Sequence, residues 1–107
     1  KALQRVVILS HVGVCPGSTN DSTLIWNYEP VLDMCSKYTC VCAFMCGHDH
    51  SGGYKNENGV HHITVQSPLE CEVGETAYGI MVVRNNSLTL CGSGKVPTRE
   101  MSLRPWK

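Results

Sequence analysis

The sequence predicts a single α/β domain, and three patterns predict it. Val6-Val7-Ile8-Leu9 and the stretch from Cys40 to Cys46 are unbroken apolar runs of strand length, the mark of strands covered on both faces. Between them, Leu24, Ile25, Tyr28, Val31, Leu32 and Cys35 recur at three- and four-residue intervals, which places them on one stripe of a helix that faces a core. Beyond them, two further apolar segments flank Arg84-Asn85-Asn86, the signature of a hairpin.

The elements follow in order. A first strand spans Arg5 to Ser10 and ends at His11, and the Gly-, Pro- and Ser-rich segment from Val12 to Thr23 is loop. The helix runs from about Tyr28 to about Lys37 with Asn27 as N-cap. That places Pro30 in the first turn, where its missing N–H had no intrahelical partner to lose. A second strand, Cys40 to Cys46, is closed by Gly47, and a glycine-rich loop from Asp49 to Gly59 leads to a β-branched third strand, Val60 to Gln66. The polar, acidic stretch Ser67 to Thr76 precedes a closing hairpin, Ala77 to Val83 and Ser87 to Cys91, whose asparagines suit a left-handed turn. The expectation is about five strands with one main helix over one sheet face. The other face needs cover that this chain does not visibly supply.

Composition bounds the function. At 107 residues the chain is one domain at most, with residues 1–107 forming a single undivided unit and a modest core. Nine basic residues balance nine acidic ones, so the electrostatic footprint of a nucleic-acid binder is absent. The longest apolar run is too short to span a bilayer, which predicts no membrane association. The chain opens on Lys1 and enters a strand almost at once, with no secretory leader, and so reads as a fragment cut from a longer protein. Lys95, Arg99, Arg104 and Lys107 make the end basic, and a solvated tail is expected.

The seven cysteines are odd in number and include no Cys-x-x-Cys pair, which argues against a zinc ribbon or a disulfide framework. Cys40, Cys42 and Cys46 lie at even separations, on one strand face. They read as reduced core thiols of a cytoplasmic protein rather than the bridges of an extracellular one.

The chemistry concentrates on histidines. His11 follows the first strand, and His48 and His50 follow the second, in Gly47-His48-Asp49-His50. Ligands of open α/β sheets bind beyond the carboxyl ends of strands, and neutral imidazole is a common metal ligand. Asp49 is placed to orient a neighbouring imidazole, and Gly52 and Gly53 to admit a close approach of substrate. His61 and His62 point to opposite faces of the third strand and read as packing or surface residues. Trp26 and Tyr28 are candidates to stack on a nucleotide base, with a packing role favoured for Tyr28.

Ile8-Leu9-Ser10-His11 followed by Gly47-His48-Asp49-His50 resembles the last two signature blocks of the calcineurin-like metallophosphoesterases. Within that family the likeness is to the manganese-dependent ADP-ribose/CDP-alcohol diphosphatases. It is carried by Leu24-Ile25-Trp26-Asn27-Tyr28, by Gly47 to Tyr54, by Gly59-Val60-His61-His62 and by Gly92-Ser93-Gly94-Lys95-Val96-Pro97. The resemblance implies the C-terminal half of an αββα sandwich and a two-metal site. There His11 and His48 would bind one ion and His50 the other, and the two ions would activate water against a nucleotide diphosphate.

The family's Asp-x-His, Gly-Asp-x-x-Asp and Gly-Asn-His blocks have no counterpart here, where the aspartates are Asp21, Asp33 and Asp49 alone. The expected partner is therefore the missing N-terminal half of the domain, in cis or in trans. Manganese is expected in the complete domain, whereas three imidazoles by themselves favour zinc or nickel. The open sheet edge of a partial sandwich also predicts self-association. The alternative reading is a non-catalytic metal-binding or interaction module that retains this half of the fold.

Overall fold

The structure is a computed structural model that describes residues 4–105. Its elements are β1 (Val6–Leu9), α1 (Tyr28–Lys37), β2 (Val41–Cys46), β3 (Gly53–Glu57), β4 (Val60–Thr64), β5 (Ala77–Val83), β6 (Ser87–Gly94) and β7 (Arg99–Ser102), with 3-10 turns at Asp21–Thr23 and Pro68–Glu70. One sheet has the order β1-β2-β4-β3, with β1, β2 and β4 parallel and β3 antiparallel to β4; the other, β5-β6-β7, is antiparallel. No helix among the described residues is long and apolar enough to cross a membrane.

Among the described residues seven strands stand where about five were expected. β3 lies inside the stretch read as loop, and β7 inside the stretch read as tail. Asn58 and Gly59 join β3 to β4 with positive φ at both positions, 52° and 83°, the requirement of a two-residue hairpin turn. The expected hairpin at Arg84-Asn85-Asn86 also forms, closed by the Arg84 N–H donating to the Ser87 carbonyl at 2.9 Å. Neither asparagine there is left-handed, contrary to expectation.

Three layers result. The helix side is filled by Val14, Cys35, Val41, Phe44, Cys46 and Val60, with Ile25, Tyr28 and Val31 packed at its margin, so the helical stripe faces the core as its spacing required. α1 begins at the expected residue and Pro30 falls in its first turn, but the Asn27 side chain makes no capping hydrogen bond. On the other face Ala43 and Ile63 meet Leu88, Leu90, Val96 and Met101. The cover that the chain was not expected to supply is therefore its own second sheet.

That sheet does not reach β1. Leu9 is 76% exposed and Val6 and Val7 are also open, so β1 is an edge strand covered through Ile8 on the helix side and open on its other face despite its apolar run. A register irregularity between Val6 and Val7 leaves Cys42 as the extra residue opposite β1. A bulge of this kind breaks the two-residue alternation, and Cys42 joins the inter-sheet cluster while Cys46 faces the helix. The three cysteines thus do not share a face. All seven are free, and burial pushes the thiols of Cys15, Cys35, Cys42 and Cys46 up, which holds them protonated.

The basic end is not a solvated tail within the described residues, which stop short of Trp106 and Lys107. Arg104 donates from its two terminal nitrogens to the carbonyls of Cys35, Ser36, Tyr38, Val41 and Asn58 at 2.8–3.0 Å. The Arg99 guanidinium lies 4.5 Å from the Tyr54 ring centroid. His61 and His62 do point to opposite faces, and both are buried. His61 donates from Nε2 to the Ser102 carbonyl at 2.6 Å and accepts the Tyr54 hydroxyl at Nδ1, 2.7 Å away, which ties the two sheets together. His62 stacks on Phe44 with 5.7 Å between ring centroids.

Candidate functional site

The parallel strands β1, β2 and β4 run the same way, so their carboxyl ends open on one side of the sheet. His11 leaves β1 there, Gly47 to His50 leave β2, and Gln66 and Ser67 follow β4. The Gly47 N–H donates to the His11 carbonyl at 3.0 Å, and the Ser67 N–H donates to the His50 carbonyl at 3.1 Å. Backbone pairing thus continues past the strand ends and locks the three segments side by side. They line a depression of about 390 Å³ that His11, His48 and His50 all face.

The histidine loop is strained at its centre. The Asp49 N–H donates to the Gly47 carbonyl at 2.8 Å and His48 has φ of 68°, which together describe the rare γ-turn with positive φ. An L-residue held there costs about 1–2 kcal/mol, and such strain collects where a side chain has to be aimed. The aim is at His11: the two rings meet edge to face with centroids 5.0 Å apart. Replacing His48 by glycine should leave the chain as stable or about 1 kcal/mol more so, because glycine adopts positive φ without strain. A denaturation midpoint showing a loss above about 1 kcal/mol would refute the strain.

His50 stands apart from that pair. Its Nδ1 lies 2.9 Å from Glu70 Oε1, and the carboxylate accepts the Nδ1 proton, which leaves the Nε2 lone pair for a ligand. A carboxylate behind an imidazole is the usual companion of a metal-bound histidine. Glu70 escaped the sequence reading because it sits in a stretch that looked only acidic. It is brought to His50 by the 3-10 turn Pro68–Glu70, which Ser67 caps through the Leu69 N–H at 3.1 Å. A Ser-Pro start to a short turn was the available signal.

Asp49 does not orient an imidazole. Its Oδ2 accepts the Asn20 N–H at 2.8 Å and the Thr19 hydroxyl at 3.1 Å, and its Oδ1 accepts the Ser51 hydroxyl at 2.7 Å and N–H at 3.2 Å. The Asn20 N–H first, and the Ser51 hydroxyl next, hold its carboxyl below the usual range. It fastens the segment before α1 to the histidine loop. Gly52 and Gly53 are close-packing residues rather than openings for substrate. A side chain at Gly53 would stand 2.3 Å from the Ser18 carbonyl oxygen, and one at Gly52 would strike the Gln66 side chain. Trp26 is 91% exposed and does not line this depression, whereas Tyr28 packs against the helix-side core.

The histidines suit part of a metal centre. Two imidazoles bound to one ion at about 2.0–2.1 Å have ring centroids about 4.5–5.3 Å apart, and His11 and His48 have that spacing. Among the described residues, however, no three His, Cys, Asp or Glu side chains gather closely enough to hold an ion. The donors present are nitrogens, and the oxygens that manganese prefers must come from elsewhere.

Comparison with known proteins supplies the frame for this arrangement. No family model matches the chain. It is 41% identical over 103 residues to a manganese-dependent ADP-ribose/CDP-alcohol diphosphatase of Oryza sativa subsp. japonica, which covers 95% of this chain and 32% of that protein. It is 33% identical over 102 residues to the human protein of the same name, covering 94% and 30%. Among solved structures, a dimetal phosphatase from Danio rerio superposes with a TM-score of 0.91 at 30% identity, over 94% of this chain and 32% of that one. The chain spans about a third of the length of these relatives. By sequence and by fold it is similar to that third of the manganese-dependent ADP-ribose/CDP-alcohol diphosphatases and of the dimetal phosphatase.

Proposed function

We propose that the chain forms the histidine side of a two-metal diphosphatase site that hydrolyses nucleotide diphosphates such as ADP-ribose and CDP-alcohols. The carrying observation is the His11–His48 ring pair, 5.0 Å apart at the ends of adjacent parallel strands. His11 and His48 hold one ion and His50 holds the other. Manganese, when bound, supplies the positive charge that neutralises the phosphoryl oxygens and acidifies a water nucleophile. The chain's own work is to aim these imidazoles and, through Glu70, to fix the tautomer of His50. The carboxylate and Asn ligands come from the rest of the domain, in cis or in trans. The uncovered edge of β1, with Val6, Val7 and Leu9 exposed, supports docking of that portion, or of a second copy in its absence. Seven free cysteines support a cytoplasmic setting.

The chain purified by itself should show little or no manganese-dependent hydrolysis of ADP-ribose or CDP-choline, with turnover appearing when the missing portion is supplied. Robust turnover by the chain alone, abolished by His50→Ala, would sink the half-site reading. In the completed site Glu70→Gln should weaken manganese binding about 10- to 100-fold, read by titration with the metal; an unchanged affinity would remove Glu70 from the site. The all-imidazole donor set of His11, His48 and His50 at this depression favours a second reading, a non-catalytic module that takes a softer ion. It predicts binding of zinc with no turnover under any complementation.

A further inference from the structure

Beside the histidine depression lies a larger one of about 680 Å³, lined by Asp49, His50, Ser51, Gln66, Glu70 and Lys95. His50 and Gln66 line both, so the two open onto each other across a shared wall. Its volume falls in the range of small-molecule sites. Its chemistry is unlike most of them, because every lining side chain is polar and the imidazole of His50 is the one aromatic ring in the lining. A nucleobase would find only that ring, already engaged with Glu70, to stack on.

What the lining does offer is a mixture of donors and acceptors. Asp49 and Ser51 are engaged with each other and with Asn20 and Thr19. Glu70 keeps one carboxylate oxygen free after receiving His50. Lys95 is held in place by donating to the Glu70 carbonyl at 2.9 Å, with Glu75 3.9 Å away, and has further N–H groups to give. Gln66 has one amide oxygen and two amide hydrogens, and its side chain makes no hydrogen bond among the described residues. A free carboxylate oxygen, an amide and an ammonium on one wall match a group carrying neighbouring hydroxyls, each of which both donates and accepts.

We infer that this second depression receives the hydroxyl-bearing alcohol moiety of the diphosphate substrate, a sugar or polyol, with Gln66 and Lys95 reading its hydroxyls. The inference rests on the diphosphatase reading for its phosphorus, which the histidines hold at the shared wall. It places the nucleobase on the other side of the phosphates, away from this chain's polar wall. Gln66 is a specificity-determining residue, and the metal ligands are indifferent to it.

The test uses the complete protein that carries this chain, with manganese present. Gln66→Leu should raise KM for ADP-ribose about tenfold, the value of one lost hydrogen bond, while CDP-choline, whose alcohol has no free hydroxyl, stays within about twofold. Lys95→Met should shift the two substrates in the same unequal way. Equal losses on both substrates, or none on either, would overturn the inference. Calorimetric titration separates its failure from that of the diphosphatase reading. Ribose 5-phosphate should bind more tightly than inorganic phosphate, and Gln66→Leu should erase that preference without changing phosphate binding. Absent turnover with the preference intact defeats the diphosphatase reading alone, and absence of the preference in the unmodified protein defeats the inference whatever the turnover.

Discussion

Replacing Arg104 by methionine is expected to destabilise the chain by about 4 kcal/mol. Three of the five carbonyls that Arg104 serves, those of Cys35, Ser36 and Tyr38, belong to the end of α1 or its C-cap, and the others open β2 and close the β3–β4 turn. Helix ends leave carbonyls without intrahelical partners, and a cation placed there also meets the negative end of the helix dipole. Hydrogen bonds from a charged donor contribute about 1.5–3 kcal/mol each. Because five acceptors share two nitrogens and part of the lost pairing is restored by water, the net effect lies well below five such bonds.

Geometry also separates Arg104 from lysine. Arg104→Lys keeps the charge but not the planar fork, and should recover less than half of the loss. Thermal unfolding measures both. For a domain near this size about 4 kcal/mol corresponds to a fall in Tm of about 15–30 °C. A change below about 1 kcal/mol for Arg104→Met would show that these bonds do not persist in solution.

Arg104 also shows what the sequence could and could not disclose. Period and run length disclosed the strands that build the core and the helix that covers them, because burial of an apolar face is written in spacing. α1 was legible to the residue, since Pro30 and the stripe from Ile25 to Cys35 allow few other placements. β3 was not legible by hydropathy, because Gly53-Tyr54-Lys55-Asn56-Glu57 is half exposed and polar. The Asn58-Gly59 turn was its one local signal. A basic residue near a chain end looks like solvent-facing charge whichever carbonyls it meets, and Arg104 finds partners 46 to 69 residues away.

The site divides the same way. His11, His48 and His50 were visible from their places at strand ends. The role of Asp49 as a fastener and of Glu70 as the partner of His50 depends on segments brought together only by the fold. The bulge at Cys42 has no sequence mark at all, and it alone undid the expected alternation of β2.

His62 predicts the second large effect, a loss of stability in mild acid. The ring is 1% exposed, and neither of its nitrogens has a hydrogen-bond partner among the described residues. Burial is the main cause that brings its pKa down from 6.5 to about 4; Glu57 opposes the shift, and His61 and Lys55 add to it weakly. The sign follows from linkage. A base whose pKa is lower folded than unfolded binds its proton more readily unfolded, so its contribution is complete above about pH 6.5 and is lost as pH falls toward 4. That interval corresponds to about 3 kcal/mol. Asp49, whose carboxyl is held low by the Asn20 and Ser51 donors, adds a further loss only below the usual carboxylate range, so the two windows are separable.

His62→Leu removes the titrating group and two unpartnered nitrogens while keeping an apolar ring-sized volume against Phe44. It should be at least as stable as the parent at pH 7 and should flatten the stability profile between pH 6.5 and 4. Denaturant unfolding at half-unit pH intervals measures the slope. If the parent and His62→Leu lose stability in parallel across that window, the imidazole is not the group that is titrating, and its ring must already have a partner that carries its proton in the folded state.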